Sequence, residues 1–515
     1  MNEHRIAAAP ADATSDAAPE ATAGPAATSE AATTDANLTR RGVPGSAEFR
    51  AFISSNWAPN ALPVPSVREA AVYAVTRRAA LSAEFPGERL IVPAGPAKTR
   101  SNDTEYPYRA HSAFAYYTGW GSDTEPGAVL VLEPTGEGHE ATLYFREGAG
   151  RDTDEFYANA AIGEFWTGPR PSTTHVSADL GVRARDIHEL EAAIAGSGGR
   201  IIRDADPALT ATLDAARAAE GGGDAADAAL AQFASEQRLI KDAYEIAELR
   251  AAIAATERGF TDVFGALDRA TAERRGERVI EGVFDARARL EGNDVGYGSI
   301  AAAGPHATIL HWTRNDGPVI PGDLVLLDAG VERDSYYTAD ITRTFPVNGE
   351  FTPVQRKVYE AVLEAADAAF AVVRPGIVFR EVHAAAMAVI ARKTAEWGFL
   401  PVSAEASLEP DAQYHRRYMV HGTSHHLGID VHDCAQARRE FYMDGTVEAG
   451  MVFTIEPGLY FQPDDLTVPA EFRGIGVRIE DDILVTETGA ENLSAGIPRT
   501  VDAVEAWVRV ANEVS

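Results

Sequence analysis

Four acids occur in two similar settings late in a chain of 515 residues. The stretch PGDLVLLDAG places Asp328 six residues after Gly322 at the end of an apolar run, and EAGMVFTIEPG places Glu456 six residues after Gly450 at the end of another. A second acid follows each: Asp340 in YYTADITRTFPV, twelve positions on, and Glu480 in GIGVRIEDDILV, twenty-four on. The two stretches read as an internal repeat in which each half supplies two carboxylates. A strand that leads out, turns and returns antiparallel sets the paired acids side by side. Four converging acids repel one another and lose hydration, so positive charge belongs among them. Two divalent cations balance the four charges, and an oxygen-rich ligand set favours hard ions such as Mn²⁺ or Mg²⁺.

Between the two copies lies MVHGTSHHLGIDVHD, residues 419–433, which holds four of the thirteen histidines in the chain. Gly422 and Gly428 break regular structure there. Ile429 and Val431 alternate with Asp430 and His432, which predicts an extended segment with the histidine and the apolar side chains facing opposite ways. His425 is the choice for a metal ligand, and one imidazole shifts the preference towards Mn²⁺, Co²⁺ or Zn²⁺. His421 and His432 then stand near the site as hydrogen-bond donors to substrate or transition state. His311 in ATILHWTRND, Arg478 two residues before Glu480 on one strand face, and Tyr460 after EPGL are weaker candidates. Each reads at least as well as a packed residue or an ordinary ion pair. Metals about 3.5–4 Å apart share a bridging hydroxide and clamp the oxyanion formed when it attacks a carbonyl. That chemistry is hydrolysis.

These residues need a scaffold, and the rest of the chain offers one. With 77 acidic against 46 basic residues the net charge is −31, which argues against a nucleic-acid partner. The single cysteine, Cys434, makes no internal disulfide and reads as a structural or incidental thiol. No stretch approaches the roughly 18–20 apolar residues of a membrane span, and the N-terminus lacks a basic region followed by an apolar core, so the expectation is a soluble cytoplasmic protein with no membrane partner.

Residues 1–44, rich in Ala, Pro and Thr, bury too little to offset ordering entropy and read as a disordered tail. Residues 45–230 read as an α/β domain: VREAAVYAVTRRAAL has helical spacing, while RLIVPAG, GAVLVLEP and ATLYFRE are strand-like. Within it RSNDTEYPYRAHSAFAYYTG, residues 100–119, carries five aromatic residues that serve either core packing or a substrate-shaping or subunit-contact surface. The glycine-bearing stretch 219–237 suits a connection, which sets a boundary near 230 and a second domain over 231–515. That domain opens with a long helix on which Ile240, Ala243, Ala247, Arg250 and Ala251 share helical spacing, with acids and bases over the other face.

The segments LLDAG, ADITRTFPV, HGTSHHLGIDVHD, TIEPGLY and GIGVRIEDD, in that order, closely resemble the signatures of aminopeptidase P, the Xaa-Pro aminopeptidase branch of the pita-bread metallopeptidases. The resemblance spans about residues 46–505, since RSNDTEYPYR and the first domain are also similar to that family's N-terminal domain. It implies a two-domain α/β (α+β) protein whose C-terminal catalytic domain has pseudo-twofold symmetry. It implies a dimetal site of Asp328, Asp340, His425, Glu456 and Glu480, in which Asp340 and Glu480 bridge, Asp328 serves one ion, and His425 with Glu456 serves the other. By the same matching His311, His421 and His432 are active-site histidines, and Arg478 and Tyr460 support the site. The implied reaction releases the N-terminal residue from peptides with proline second. A metal-bridging hydroxide attacks the Xaa carbonyl, a metal and His432 stabilise the oxyanion, and Glu456 relays the proton to the departing nitrogen. The resemblance further implies two divalent ions, foremost Mn²⁺, and a homo-oligomer, dimer or tetramer.

Selection for proline has a physical basis, because its nitrogen carries no hydrogen and its ring fixes the backbone. Three rivals stand beside this reading. A prolidase shares fold and ligands but takes Xaa-Pro dipeptides. A metal-free creatinase-like hydrolase has no need of all five ligands. A silent binding module is marked by a lost ligand, and none is lost. The Asp328 to Asp340 spacing of twelve is one longer than is typical of the family, with the extra residue in VERDSYYTA; a turn insertion there leaves both acids on their strands.

Overall fold

A computed structural model describes residues 44–58, 62–102, 104–195, 198–217 and 223–514. The Ala/Pro/Thr-rich tail therefore lies, except for Pro44, outside the described residues. The described residues divide into two compact units, one of residues 44–58 with 148–170 and one of residues 62–147 with 171–514. In the smaller unit, Ser46 caps helix Ala47–Ile53, and Phe49 packs edge-on against Tyr157 while Trp57 and Phe165 both meet Phe156.

The larger unit begins with helix Glu69–Glu84, as its spacing predicts, and a five-stranded sheet. Across that sheet the order is Arg183–Asp186, Gly138–Phe145, Val129–Thr135, Leu90–Pro93, Arg200–Ile201. The central strands alternate cleanly, because successive side chains point to opposite faces. Leu90, Val92, Leu130 and Leu132 pack with Phe114 and Trp120 on one side. Ile91, Val129 and Val131 pack with Leu190, Ile194 and Leu213 on the other. The aromatic stretch 100–119 contributes helix Ser112–Thr118, every residue of which is buried, so packing is its main role.

The connection expected over 219–237 is, from Asp224 to Gln237, a helix. The small residues that suggested a linker are Ala, which favours helix. Asp227 on this helix accepts a hydrogen bond from Ile201 N at 2.9 Å, so the helix is tied to the first sheet and a division at 230 would cut through it. Helix Ala243–Phe264 follows, started by a capping box between Asp242 and Glu245. The predicted helix is present but its named stripe is the wetter one: Ile240 precedes the helix and is exposed, as are Ala243, Ala247 and Arg250. Burial falls instead on Leu249, Ala252, Ile253, Thr256, Phe260 and Val263. Alanine is neutral enough to sit on either face, so the larger apolar residues decide the orientation.

Two small sheets carry the repeat. In the first, Leu324–Ala329 lies between Ile341–Pro346 and Ile300–Ala303, antiparallel to both, with Asp328 opposite Thr342. In the second, Asp481–Val485 lies between Val452–Ile455 and Ala490–Asn492, with Ile455 opposite Asp481. A short pair, Gly458–Tyr460 with Gly476–Arg478, prolongs the second hairpin. The strands bearing the acids are buried throughout, and helices Pro353–Val372 and Arg380–Glu396 pack beside them as part of one core. Gly330 closes the first hairpin: a Cβ there would stand 1.7 Å from Ala339 O, so only glycine permits the approach. The longer turn between the acids folds on itself through Tyr336, in the left-handed region at φ 70, and Ala329 still pairs with Ile341.

Candidate active site

Each acid stands where its strand ends. Asp328 is the last residue but one of Leu324–Ala329, Asp340 directly precedes Ile341–Pro346, Glu456 directly follows Val452–Ile455, and Glu480 directly precedes Asp481–Val485. The halves are stitched by Glu480 N donating to Thr342 O at 3.1 Å and by Arg478 N donating to Thr344 Oγ1 at 3.1 Å. The result is convergence. Oxygen and nitrogen atoms of Asp340, His425 and Glu480 lie within 4.8 Å of one another. His425 Nε2 is 3.2 Å from Asp340 Oδ2 and 3.5 Å from Glu456 Oε1, and Arg478 Nη2 donates to Asp328 Oδ2 at 2.5 Å.

The electrostatics are those of a crowded buried anion cluster. Burial pushes Glu456 up to about 7, with His425 and Arg478 pulling the other way. Burial and then the Asp340 charge hold Glu480 well above the usual carboxylate range, and burial also raises Asp328 against the pull of Arg478. Burial alone would neutralise His425, but its bond to Asp340 and the Glu456 charge outweigh it and bring the imidazole to about 9. Four carboxylates faced by one guanidinium and one imidazole are short of positive charge, and their hard oxygen donors with one nitrogen fit two divalent cations. Asp328, Asp340, His425, Glu456 and Glu480 are the residues that would hold them.

The remaining predicted groups surround this cluster. Tyr460 Oη lies 2.8 Å from His421 Nε2 and accepts from Arg478 Nη1 at 3.1 Å. Burial, reinforced by the Arg478 charge, drives His421 down to about 3, so it is neutral. Its Nδ1 is 3.7 Å from Glu456 Oε2. His432 stands edge-on to His425 with ring centroids 4.4 Å apart, and burial lowers its pKa. His311 is exposed, on the connection that leads into the first half-repeat.

The expected extended run at 428–433 is not a strand. Residues 428–432 form bends, and Asp433 is pinned by Arg238 Nε at 2.9 Å and Lys241 Nζ at 3.3 Å. Ile429 is buried and His432 exposed all the same, so the alternation reflects burial on one side without a ladder. Cys434 is buried and free, with its pKa raised to about 12 by burial, consistent with an inert packed thiol.

Three contributing residues escaped the sequence reading. Tyr297 Oη lies within 2.7 Å of Asp328 and 2.6 Å of Asp340. Thr342 Oγ1 donates to Glu480 Oε2 at 2.7 Å and accepts from Arg478 Nε at 3.1 Å. Asp482, fully buried, accepts from Asp340 N at 3.2 Å. Thr342 follows Asp340 by two and Asp482 follows Glu480 by two, so strand periodicity offered a signal for both. No spacing pointed to Tyr297.

Fold and site together define a hydrolase of the pita-bread metallopeptidase class. Residues 247–487 match "Metallopeptidase family M24", and residues 74–200 match "Aminopeptidase P, N-terminal domain". Xaa-Pro aminopeptidase 1 of Streptomyces coelicolor is 52% identical over 90% of this chain and 92% of its own length. The Xaa-Pro aminopeptidase of Escherichia coli is 35% identical over 85% of this chain and 97% of its own. A structure of E. coli aminopeptidase P in complex with substrate superposes with a TM-score of 0.74 at 33% identity, covering 87% of this chain and all of that one. The chain belongs to the Xaa-Pro aminopeptidase (aminopeptidase P) family of metallopeptidases.

Proposed function

We propose that the chain releases the N-terminal residue from peptides with proline at the second position, using two divalent ions, foremost Mn²⁺. The observation that carries this reading is the convergence of Asp340, His425 and Glu480 within 4.8 Å, flanked by Asp328 and Glu456. When bound, the metal pair supplies a nucleophile at neutral pH and polarises the scissile carbonyl. Asp328, Asp340, His425, Glu456 and Glu480 would hold the two ions. Glu456 also carries the proton to the departing proline nitrogen, a role supported by its reach towards both His425 and His421. His432 and His311 are assigned to substrate as hydrogen-bond donors. His421, whose Nδ1 donates to Gly422 O at 2.6 Å and whose Nε2 pairs with Tyr460, joins them when substrate displaces the Gly422 bond. Tyr460 and Arg478 hold His421 and Asp328 in place.

The free, buried Cys434 is in keeping with a cytoplasmic protein, and no helix among the described residues is long and apolar enough to cross a membrane. A homo-oligomeric state accompanies this reading, as does a bound partner limited to peptide substrates.

The test compares chelator-stripped protein before and after Mn²⁺ on an Xaa-Pro-Xaa tripeptide and an Xaa-Pro dipeptide. Metal-dependent release of the first residue from the tripeptide is expected. Cleavage of the dipeptide alone makes the chain a prolidase, and no cleavage with any divalent ion returns it to a binding module.

A further inference from the structure

His311 sits on a long connection, residues 304–323, whose only regular element is the short 3₁₀ turn Gly304–Thr308. Such a segment does not hold a side chain in place through its own backbone bonds. Besides Asn315, which bonds Ala301 N, Ser299 O and Glu281, it is anchored by Glu277, in the first turn of helix Gly276–Glu291, where a negative charge also meets the positive helix end. The Glu277 side chain is wholly buried, and its carboxylate accepts four hydrogen bonds. Oε1 accepts from Ala303 N at 2.8 Å and His306 Nδ1 at 2.7 Å. Oε2 accepts from Trp312 Nε1 at 2.9 Å and Gly317 N at 2.6 Å.

Two donors on each oxygen fill the acceptor capacity of a carboxylate. They tie down the start and the middle of the connection, and one of them, Trp312, is the neighbour of His311. The His306 and Trp312 rings stack with centroids 3.8 Å apart, so the indole is held by its face as well as its N–H. Packing around the carboxylate is close enough that a Cβ on Gly317 would meet Glu277 Oε2 at 2.9 Å. None of the four partners is a lysine or arginine, so the charge is satisfied by directed hydrogen bonds, which fix geometry in a way a point charge does not.

We propose that Glu277 is a positioning residue for the active site: through Trp312 it sets where His311 presents its imidazole to substrate. This rests on the reading of His311 as a substrate-facing group. Replacement by glutamine is isosteric but turns one acceptor oxygen into a donor. On the Oε2 side its NH₂ confronts two fixed donors, Trp312 Nε1 and Gly317 N. On the Oε1 side it can donate to His306 only in the tautomer that accepts at Nδ1, and it still leaves Ala303 N without its acceptor, so either arrangement loses at least one bond. Trp312→Phe is milder, since it removes one donor and keeps an aromatic ring on His306.

The test is steady-state kinetics of fully metal-loaded enzyme on an Xaa-Pro-Xaa tripeptide for His311→Ala, Glu277→Gln, Trp312→Phe and the doubles with His311→Ala, alongside metal content. Glu277→Gln is expected to lower kcat/KM about tenfold or more at unchanged metal content, Trp312→Phe about threefold, and neither to add to His311→Ala, as groups acting as a unit do not add. Full multiplication of the single effects, or wild-type kcat/KM in Trp312→Phe and Glu277→Gln beside an impaired His311→Ala, overturns the proposal. If Glu277→Gln fails to fold, the Trp312→Phe cycle decides alone. An unimpaired His311→Ala instead removes the reading of His311 on which the proposal stands.

Discussion

The phenolic oxygen of Tyr297 lies 2.6 Å from Oδ1 of Asp340. It lies almost as close, 2.7 Å, to Oδ1 of Asp328. One hydroxyl thus joins both carboxylates of the first half-repeat. Burial and the two aspartates hold the phenol well above its ordinary pKa, so it remains a donor. Groups that hydrogen-bond to metal-ligating carboxylates orient them, and losing such a group costs about 10–100-fold in metal affinity or activity. Tyr297→Phe keeps the ring and removes the donor. The expected outcome is a fall of about tenfold or more in Mn²⁺ affinity, measured by calorimetric titration of stripped protein, with the thermal midpoint of the loaded enzyme little changed.

Arg478 makes a second kind of prediction, about geometry at fixed charge. Its guanidinium reaches Asp328 Oδ2, Tyr460 Oη and Thr342 Oγ1 at once. Lysine has a compact head that cannot span three partners. Arg478→Lys is expected to lower kcat by about 10–100-fold while circular dichroism stays native. A variant with wild-type turnover would show that charge alone suffices there.

The acids and the histidine cluster were legible because strand periodicity and the repeat put several constraints on the same residues. Asp328 and Asp340 had to meet once their strands paired, and Ala329 opposite Ile341 is that pairing. Tyr297 and Glu277 had no such redundancy. Each is a single polar residue whose partners lie far along the chain, at 43 positions from Asp340 and 40 from Gly317. Glu277 in particular reads as an ordinary surface acid on an amphipathic helix, and only the loop folded over it makes it internal. The stripe on helix Ala243–Phe264 failed for a related reason, since alanine-rich positions carry too little apolar area to name the buried face.

A different helix offers a pH test away from the metal cluster. Burial, with Glu281 and Asp294 adding repulsion, lifts Asp285 to about 6 from an ordinary value of 3.8. A carboxyl whose folded pKa is raised favours the folded state when protonated, so its contribution is complete below about pH 4 and is lost as pH rises through 6. Asp285→Asn removes that loss. The variant is expected to match the parent at pH 4 and to melt at higher temperature than the parent above pH 6, read by calorimetry across that window. An equal difference at both ends would mean that packing and not ionisation sets the effect.

Arg109, from the aromatic stretch of the first domain, ties two loops of the site together. Its Nε donates to Glu332 Oε2 at 2.7 Å, on the turn between Asp328 and Asp340. Its Nη2 donates to Ile429 O at 2.7 Å and lies 3.2 Å from Asp430 Oδ1, two residues before His432. The guanidinium also lies over the Tyr336 ring, 4.5 Å from its centroid. Burial raises the Glu332 carboxyl even with Arg109 pulling it down, so removing the arginine leaves a buried acid with weaker compensation. Arg109→Met should therefore destabilise by about 2 kcal/mol, the scale of a lost hydrogen bond to a charged group. Because the raised carboxyl favours folding only while protonated, the loss should be greater at pH 8 than at pH 5. Adding Glu332→Gln should recover part of it, since the uncompensated charge is gone. Chemical denaturation of the single and double variants at the two pH values measures both effects, and kcat tells whether the segment leading to His432 moves with them. Recovery of stability without recovery of kcat is the expected pattern, because glutamine removes the stranded charge but does not restore the bond to Ile429 O, and Ser112 alone among the side chains of this stretch still holds Asp430.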